Sequence, residues 1–339
     1  MANVNPTDAL SIGIYHFNPT RTHNYGDSYE KRMEEFEDVL KQGYFNTVIV
    51  NLDYINDDEF WRIVLENDCT VWQNCWTFFD SEKQTIDEFL KPTDDALKIL
   101  KTNPERWERY CGFHFDEPIW RGQSNADFLE QTKAMRERYN KRIFPVFATG
   151  EFFDSEGNAM QIKMDAKNMR KVKPEALKYV TDVAFDSYSV DVREGYGNGN
   201  YINEMHGKLE GIVDGKTYYS ELAKYLEAKV DHDVNYWFFP TSYTTGLWRG
   251  GRVGEGFCQG HLNYMAELVK TFKHPGGLLL YTYYQWGNPA EFGLQSHLLI
   301  KDEEGKIKLR PEQEKWWDYS ADLRRITKEF KETKVNLVK

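Results

Sequence analysis

No apolar run in this 339-residue sequence approaches the roughly 18–20 residues that a helical membrane span needs. A crossing helix is therefore not expected. Cysteine is scarce: Cys69, Cys75, Cys111 and Cys258 form no CxxC pair, and no His/Cys spacing suggests zinc. They read as free, buried thiols. Neither a metal nor a cofactor is expected. Positive charge is also short, with 43 Lys and Arg against 54 Asp and Glu, a net charge of −11. No basic stretch of the kind that holds phosphate backbones is present, so nucleic acid is excluded as a partner. The start, "MANVNPTDALS", has neither a charged n-region nor an apolar h-region. The expectation is a cytoplasmic chain as written, or a secreted or periplasmic one if a leader has been trimmed. A dinucleotide glycine fingerprint, an interior linker, low-complexity segments and short repeats are all missing. One domain over residues 1–339 follows.

What is abundant is aromatic: 10 Trp, 21 Tyr and 21 Phe make up 15% of the chain. Many of these rings must fill a core, yet several fall at the ends of predicted strands. Short apolar runs alternate with helical patterns about eight times. The predicted strands are 11–17, 45–53, 69–76, 111–117, 142–151, 180–190, 233–243 and 276–287. Helices are predicted over 27–43, 56–67 (capped by Asn56 or Asp57), 125–140 (capped by Asn125), 216–230, 256–274 and 310–332 (Pro311 near its start). A helical region from about Thr85 to Tyr110 is expected to break near Pro92 and Pro104. Strands alternating with helices imply a parallel sheet with helical crossovers. Eight such units predict a single (β/α)8 TIM barrel, for which this length is ordinary.

Barrel enzymes carry their sites at the C-terminal ends of the strands. Those positions here hold His16, Asp53, Trp76, Asp116, Glu117, Glu151, Asp186, Tyr188, Tyr243, Tyr283, Gln285 and Trp286. Acids and rings dominate. The segment "GFHFDEPIW" (112–120) ends strand four in two adjacent carboxylates. A plain structural role is a cap on the following turn, with Pro118 biasing Glu117 toward extended backbone. A chemical role is a general acid, whose raised pKa a neighbouring carboxylate and apolar rings such as Phe115 and Trp120 would favour.

The "FHFDEP" motif resembles the fourth-strand motif of barrel glycoside hydrolases. One large clan ends this strand in Asn-Glu-Pro, and the substrate-assisted hexosaminidases end it in Asp-Glu. The resemblance spans the barrel order and about six residues. It implies a carbohydrate substrate, Glu117 as general acid/base, and Asp116 as a helper that orients a 2-acetamido group acting as nucleophile. A departure qualifies it. The Asn-Glu-Pro clan carries a nucleophilic Glu on strand seven, whereas "FFPTSYTTG" has no carboxylate there until Glu255. Either the substrate supplies the nucleophile, or Asp186 acts as nucleophile or base. In the second case the gap between the carboxyls sets the outcome, about 5–5.5 Å for retention and about 6.5–9.5 Å for inversion.

The remaining positions carry smaller roles. Tyr188, on the same strand face as Asp186, is placed to hydrogen-bond a nucleophile or an acetamido carbonyl. Asp53 either binds sugar hydroxyls or caps the next helix. Glu151 is a second base candidate. Trp76, Trp248 and Trp286 are stacking candidates, and Tyr283 and Gln285 share one face of strand eight, where they close the pocket. His16 lacks the His-x-His form of the amidohydrolases, since Ile14-Tyr15-His16 stands there. Two rival readings remain. The loop "LWRGGRVGEG" (247–256) with Arg249 and Arg252 suits a phosphate, which would make the chain a phosphosugar lyase or isomerase. No strand-end Lys accompanies it for a Schiff base. The other rival is a non-catalytic carbohydrate-binding barrel.

Overall fold

The runs of β-branched and aromatic residues form strands where they were predicted, trimmed at their ends. The computed structural model describes residues 5–20, 24–148, 172–186, 231–240, 244–245, 255–281, 283, 291–292, 294, 299–301, 303–309 and 317–339. Eight strands make the sheet: β1 (Ser11–Ile14), β2 (Thr47–Val50), β3 (Thr70–Asn74), β4 (Tyr110–Asp116), β5 (Arg142–Ala148), β6 (Asp182–Asp186), β7 (Asn235–Phe238) and β8 (Pro275–Leu280). Each is parallel to its neighbour, in the order β1-β8-β7-β6-β5-β4-β3-β2. The sheet curls until β1 and β2 meet. Asn46 closes the seam: its side chain accepts from Ile12 N at 2.7 Å and donates to Leu10 O at 2.9 Å, and its own N–H reaches Ile12 O at 3.1 Å. Gly13 lets the two strands approach, since a Cβ there would sit 2.8 Å from Thr47 Cγ2. The result is a nearly closed parallel (β/α)8 barrel.

The helices include α1 (Tyr29–Lys41), α2 (Asp58–Glu66), α3 (Ile86–Leu100), α4 (Pro104–Arg109), α5 (Asn125–Tyr139), α6 (Glu255–Val269) and α7 (Trp317–Glu332). Asp57 caps α2, accepting from Phe60 N at 2.7 Å. Two sequence expectations are corrected. The cap of α5 is Ser124, one residue before Asn125, with Oγ accepting from Asp127 N at 3.0 Å. And α3 runs through Pro92 without breaking. Pro92 and Glu88, whose carbonyl loses its bond, are both exposed, so solvent meets the freed group and the helix continues. The predicted helix over 216–230 and Pro311 lie outside the described residues.

Two apolar layers result. One lies between strands and helices, and the other fills the barrel itself with Tyr15, Ile49, Trp72, Phe144, Trp237 and Leu279 among its members. Trp237 stacks on Phe144 at 4.5 Å between centroids and meets Trp72 edge-on at 6.0 Å. Beneath these rings Arg142 pairs with fully buried Asp182, which also accepts from Trp237 Nε1 at 2.8 Å and Thr181 Oγ1 at 2.8 Å. The barrel is thus a solid plug, and chemistry is confined to its rim. Among the described residues no helix is long and apolar enough to cross a membrane.

Candidate active site

Strand β4 delivers the acids. Phe113 and Phe115 point into the outer layer, so His114 and Asp116 take the inner face by alternation. Gly112 permits this strand to lie against β5: its φ is +152°, and a Cβ would fall 2.0 Å from Arg142 O. At Glu117 the chain turns sharply. Its φ is +48°, the left-handed region, and not the extended backbone that Pro118 was expected to impose. A non-glycine residue there costs on the order of 1–2 kcal/mol. Surrounding bonds hold it: Glu117 N donates to Val146 O at 2.9 Å, Arg121 N to Glu117 O at 2.9 Å, and Gln123 N to Pro118 O at 3.0 Å. Strain of this kind collects at functional sites, where a side chain must be aimed.

The two carboxylates are joined by a cation that the sequence reading did not single out. Arg121 Nη2 ion-pairs with Asp116 Oδ2 and lies 3.7 Å from Glu117 Oε2. The repulsion expected between adjacent acids is therefore met by a guanidinium. Asp116 is buried, its side chain 11% exposed. Burial pushes its carboxyl above the usual range, against the opposing pull of Arg121 and of the Tyr15 hydroxyl.

Tyr15 connects β1 to this pair. Its hydroxyl oxygen is 3.1 Å from Asp116 Oδ1 and 3.1 Å from His114 Nε2. His114 is fully buried, and desolvation, assisted by the neighbouring His16, drops its pKa to about 3. The ring is neutral at physiological pH. Its Nδ1 sits 3.2 Å from Asn74 Oδ1. Asn74 Nδ2 reaches Asn51 Oδ1 at 3.4 Å, and the same oxygen accepts from Trp76 Nε1 at 3.1 Å. A polar chain thus runs from Asp116 to Trp76 across four strand ends.

His16 and Trp76 are both brought to this rim. Their rings are parallel within 11°, at 6.0 Å between centroids, and Arg121 lies 5.7 Å from the Trp76 ring. Trp76 is 38% exposed, unusual for so large a ring. His16 also has a positive φ, +63°. Tyr281, after β8, lies 6.4 Å from His16. Acids, a cation and an exposed indole therefore converge on one patch.

Other predicted positions fall elsewhere. Tyr283 does not close a pocket: it is fully buried between sheet and helices, packed on Phe17, with its hydroxyl 3.5 Å from Glu35. Its N–H supports the site indirectly, donating to Tyr15 O at 3.1 Å. Asp53 is exposed in a short 3-10 turn, and Asp57 takes the capping role considered for it. Asp186 ends β6 with its backbone opposite Ala148, and its side chain lies outside the described residues. So do Glu151, Tyr188, Tyr243, Trp248, Arg249, Arg252, Gln285 and Trp286. Among the described residues, no three His, Cys, Asp or Glu side chains gather where they could hold a metal ion.

Tyr15, Asn51, Asn74 and Arg121 were not selected from the sequence. Tyr15 had a signal: Ile12 and Ile14 face outward, which puts Gly13 and Tyr15 on the inner face. Arg121 had a weaker one, four residues after Glu117 beyond a proline turn.

No protein-family profile matches the chain, and comparison with curated proteins finds no match. Solved structures do resemble it. A Bacteroides thetaiotaomicron protein described as a candidate alpha-L-fucosidase aligns over 97% of this chain and 96% of its own, at 12% identity and a TM-score of 0.52. A β-glucuronidase from Ruminococcus gnavus, solved with D-glucuronic acid, aligns over 81% of this chain at 12% identity and a TM-score of 0.50. The match spans 42% of that glucuronidase's length. At such identity the likeness shows the fold: this chain is built as the barrels of these glycoside hydrolases are.

Proposed function

We propose that the chain is a glycoside hydrolase acting on O-glycosidic bonds of a carbohydrate, with Glu117 as general acid/base. The observation that carries this reading is the end of β4. Glu117 is held in a left-handed turn beside buried Asp116, with Arg121 linking the two and an exposed indole alongside. Protonated Glu117 gives its proton to the departing glycosidic oxygen, and on a retaining or substrate-assisted route its carboxylate then takes one from the incoming water. Trp76 offers a flat apolar face for the CH side of a sugar ring. Asp116 assists by fixing Arg121 and Tyr15 around the acid.

The group that meets the anomeric carbon is the open half of the mechanism. Orientation of a 2-acetamido nucleophile by Asp116 is one route, and Asp186 at the end of β6 is the other. Paired glycosides with and without a 2-acetamido group separate them. Turnover confined to the acetamido member, with tight binding of a thiazoline, supports substrate assistance. Turnover of both supports Asp186, as nucleophile where the anomeric configuration is retained and as base where it is inverted. No turnover across a broad panel of glycosides contradicts the hydrolase reading and favours the binding-barrel alternative.

A further inference from the structure

The polar chain from Trp76 to Asp116 has a direction, and that direction counts protons. An indole N–H can only donate. Trp76 Nε1 therefore fixes Asn51 Oδ1 as an acceptor, at 3.1 Å. The second group at that oxygen, 3.4 Å away, is then the amide nitrogen of Asn74. This turns Asn74 Oδ1 toward His114, 3.2 Å from Nδ1. A carbonyl oxygen cannot donate, so His114 Nδ1 carries the hydrogen. The ring is fully buried and neutral, which leaves a lone pair on Nε2. That lone pair faces the Tyr15 hydroxyl at 3.1 Å.

Among the described residues, two groups, His114 and Asp116, claim the one proton of the Tyr15 hydroxyl. Given to His114, it leaves an oxygen lone pair 3.1 Å from Asp116 Oδ1. An ionised carboxylate would then set two lone pairs against each other in a buried site, where an unmade bond to a charged group is strongly unfavourable. Given to Asp116, the direction the hydroxyl takes in the structure, it moves the conflict to the neutral lone pair of His114 Nε2. One further proton resolves it. We propose that Asp116 is un-ionised at neutral pH, with its proton on Oδ1 and donated to Tyr15, and that His114 is the positioning residue that imposes this state.

The surroundings bear on the proposal from each side. Arg121, on the turn after β4, favours the ionised form through Oδ2. A neutral carboxyl still accepts that bond through its carbonyl oxygen. Glu117 shares the same guanidinium at 3.7 Å. From β1, His16 disfavours a charge on His114. Burial is the largest influence on Asp116 and favours the neutral acid. The inference rests on this network and holds whether or not Glu117 works as proposed.

Two spectroscopic readouts on the full chain test it. Long-range proton–nitrogen NMR of histidine-labelled protein at pH 7 reports the tautomer of His114. Its signal is assigned as the one lost in His114→Gln and shifted in Tyr15→Phe, so that assignment survives misfolding of the first variant. The expected pattern is a neutral ring with hydrogen on Nδ1. Infrared difference spectra against Asp116→Asn are expected to show an un-ionised carboxyl band present only in the native protein. Asp116→Asn, whose amide donates as the protonated acid does, is expected to leave the His114 pattern unchanged. A neutral ring with hydrogen on Nε2, an imidazolium, or a missing carboxyl band would each overturn the proposal.

Discussion

Arg121 Nη2 stands 3.7 Å from Glu117 Oε2 while it donates a hydrogen bond to Asp116 Oδ2. One guanidinium therefore orders both acids, and it is half-exposed at the rim where a substrate would enter. Charge-assisted hydrogen bonds of this type contribute roughly 1.5–3 kcal/mol, or about 10- to 150-fold if expressed wholly in the transition state. Arg121→Gln is expected to lower kcat/KM within that range. Arg121→Lys restores charge without the planar fork and should recover only part of it. Steady-state kinetics on both variants check this, and full recovery by lysine would show that charge alone matters.

Trp76 is an exposed ring among the described residues of the candidate site. Trp76→Ala removes the stacking face, the donor to Asn51 and a ring that is partly buried against His16 and Arg121. KM is expected to rise on the order of 10-fold, from about 0.5–1.5 kcal/mol of aromatic stacking together with lost apolar contact. The melting temperature should fall modestly, by less than for loss of a fully buried ring. An unchanged KM would remove Trp76 from substrate binding.

His114 makes stability depend on pH, with a definite sign. Its folded pKa, about 3, lies below its ordinary 6.5 because of burial. The unfolded chain binds a proton there that the folded chain refuses, so stability is present above about pH 6.5 and lost as pH falls toward 3. The full effect is on the order of 4–5 kcal/mol, roughly 2–3 of it by pH 4.5. Denaturant unfolding at pH 7.5 and 4.5 measures it, and His114→Gln should flatten the difference. Asp116, with its raised pKa, acts in the opposite sense: its contribution is present at low pH and is lost as pH rises through its folded value.

Asp182 anchors the barrel floor with Arg142, the pair being 0% and 9% exposed. Asp182→Ala strands a buried guanidinium, at a cost of about 3–5 kcal/mol. Unfolding of this variant should show that loss with little change in substrate specificity, since the pair lies beneath the rings that separate it from the rim.

The barrel was readable because period-two runs and capped helical stretches recur in alternation, and each signal is local. Boundaries moved by one to several residues, as where the helix predicted to 274 ends at Val269, and the cap of α5 moved from Asn125 to Ser124 because neighbouring Ser and Asn compete for it. Pro92 misled because proline's cost depends on whether the freed carbonyl meets water. At the site, Asp116, Glu117, His16 and Trp76 were legible from their places at strand ends. Tyr283 was not, since its ring is fully buried against Phe17 with its hydroxyl toward Glu35 of α1. Asn51 was invisible because its partners, Asn74 and Trp76, stand at the end of another strand, and Arg121 because the left-handed turn at Glu117, which folds it back on Asp116, is not written in the local pattern.

Glu117 is the central assignment, and leaving-group dependence tests it most directly. A general acid matters most when the departing oxygen is a poor leaving group. Glu117→Gln should lower turnover roughly 10²- to 10⁴-fold on an alkyl glycoside, far less on an activated aryl glycoside, with the melting temperature kept. Near-native turnover on the alkyl substrate, or equal losses on both, would contradict the assignment.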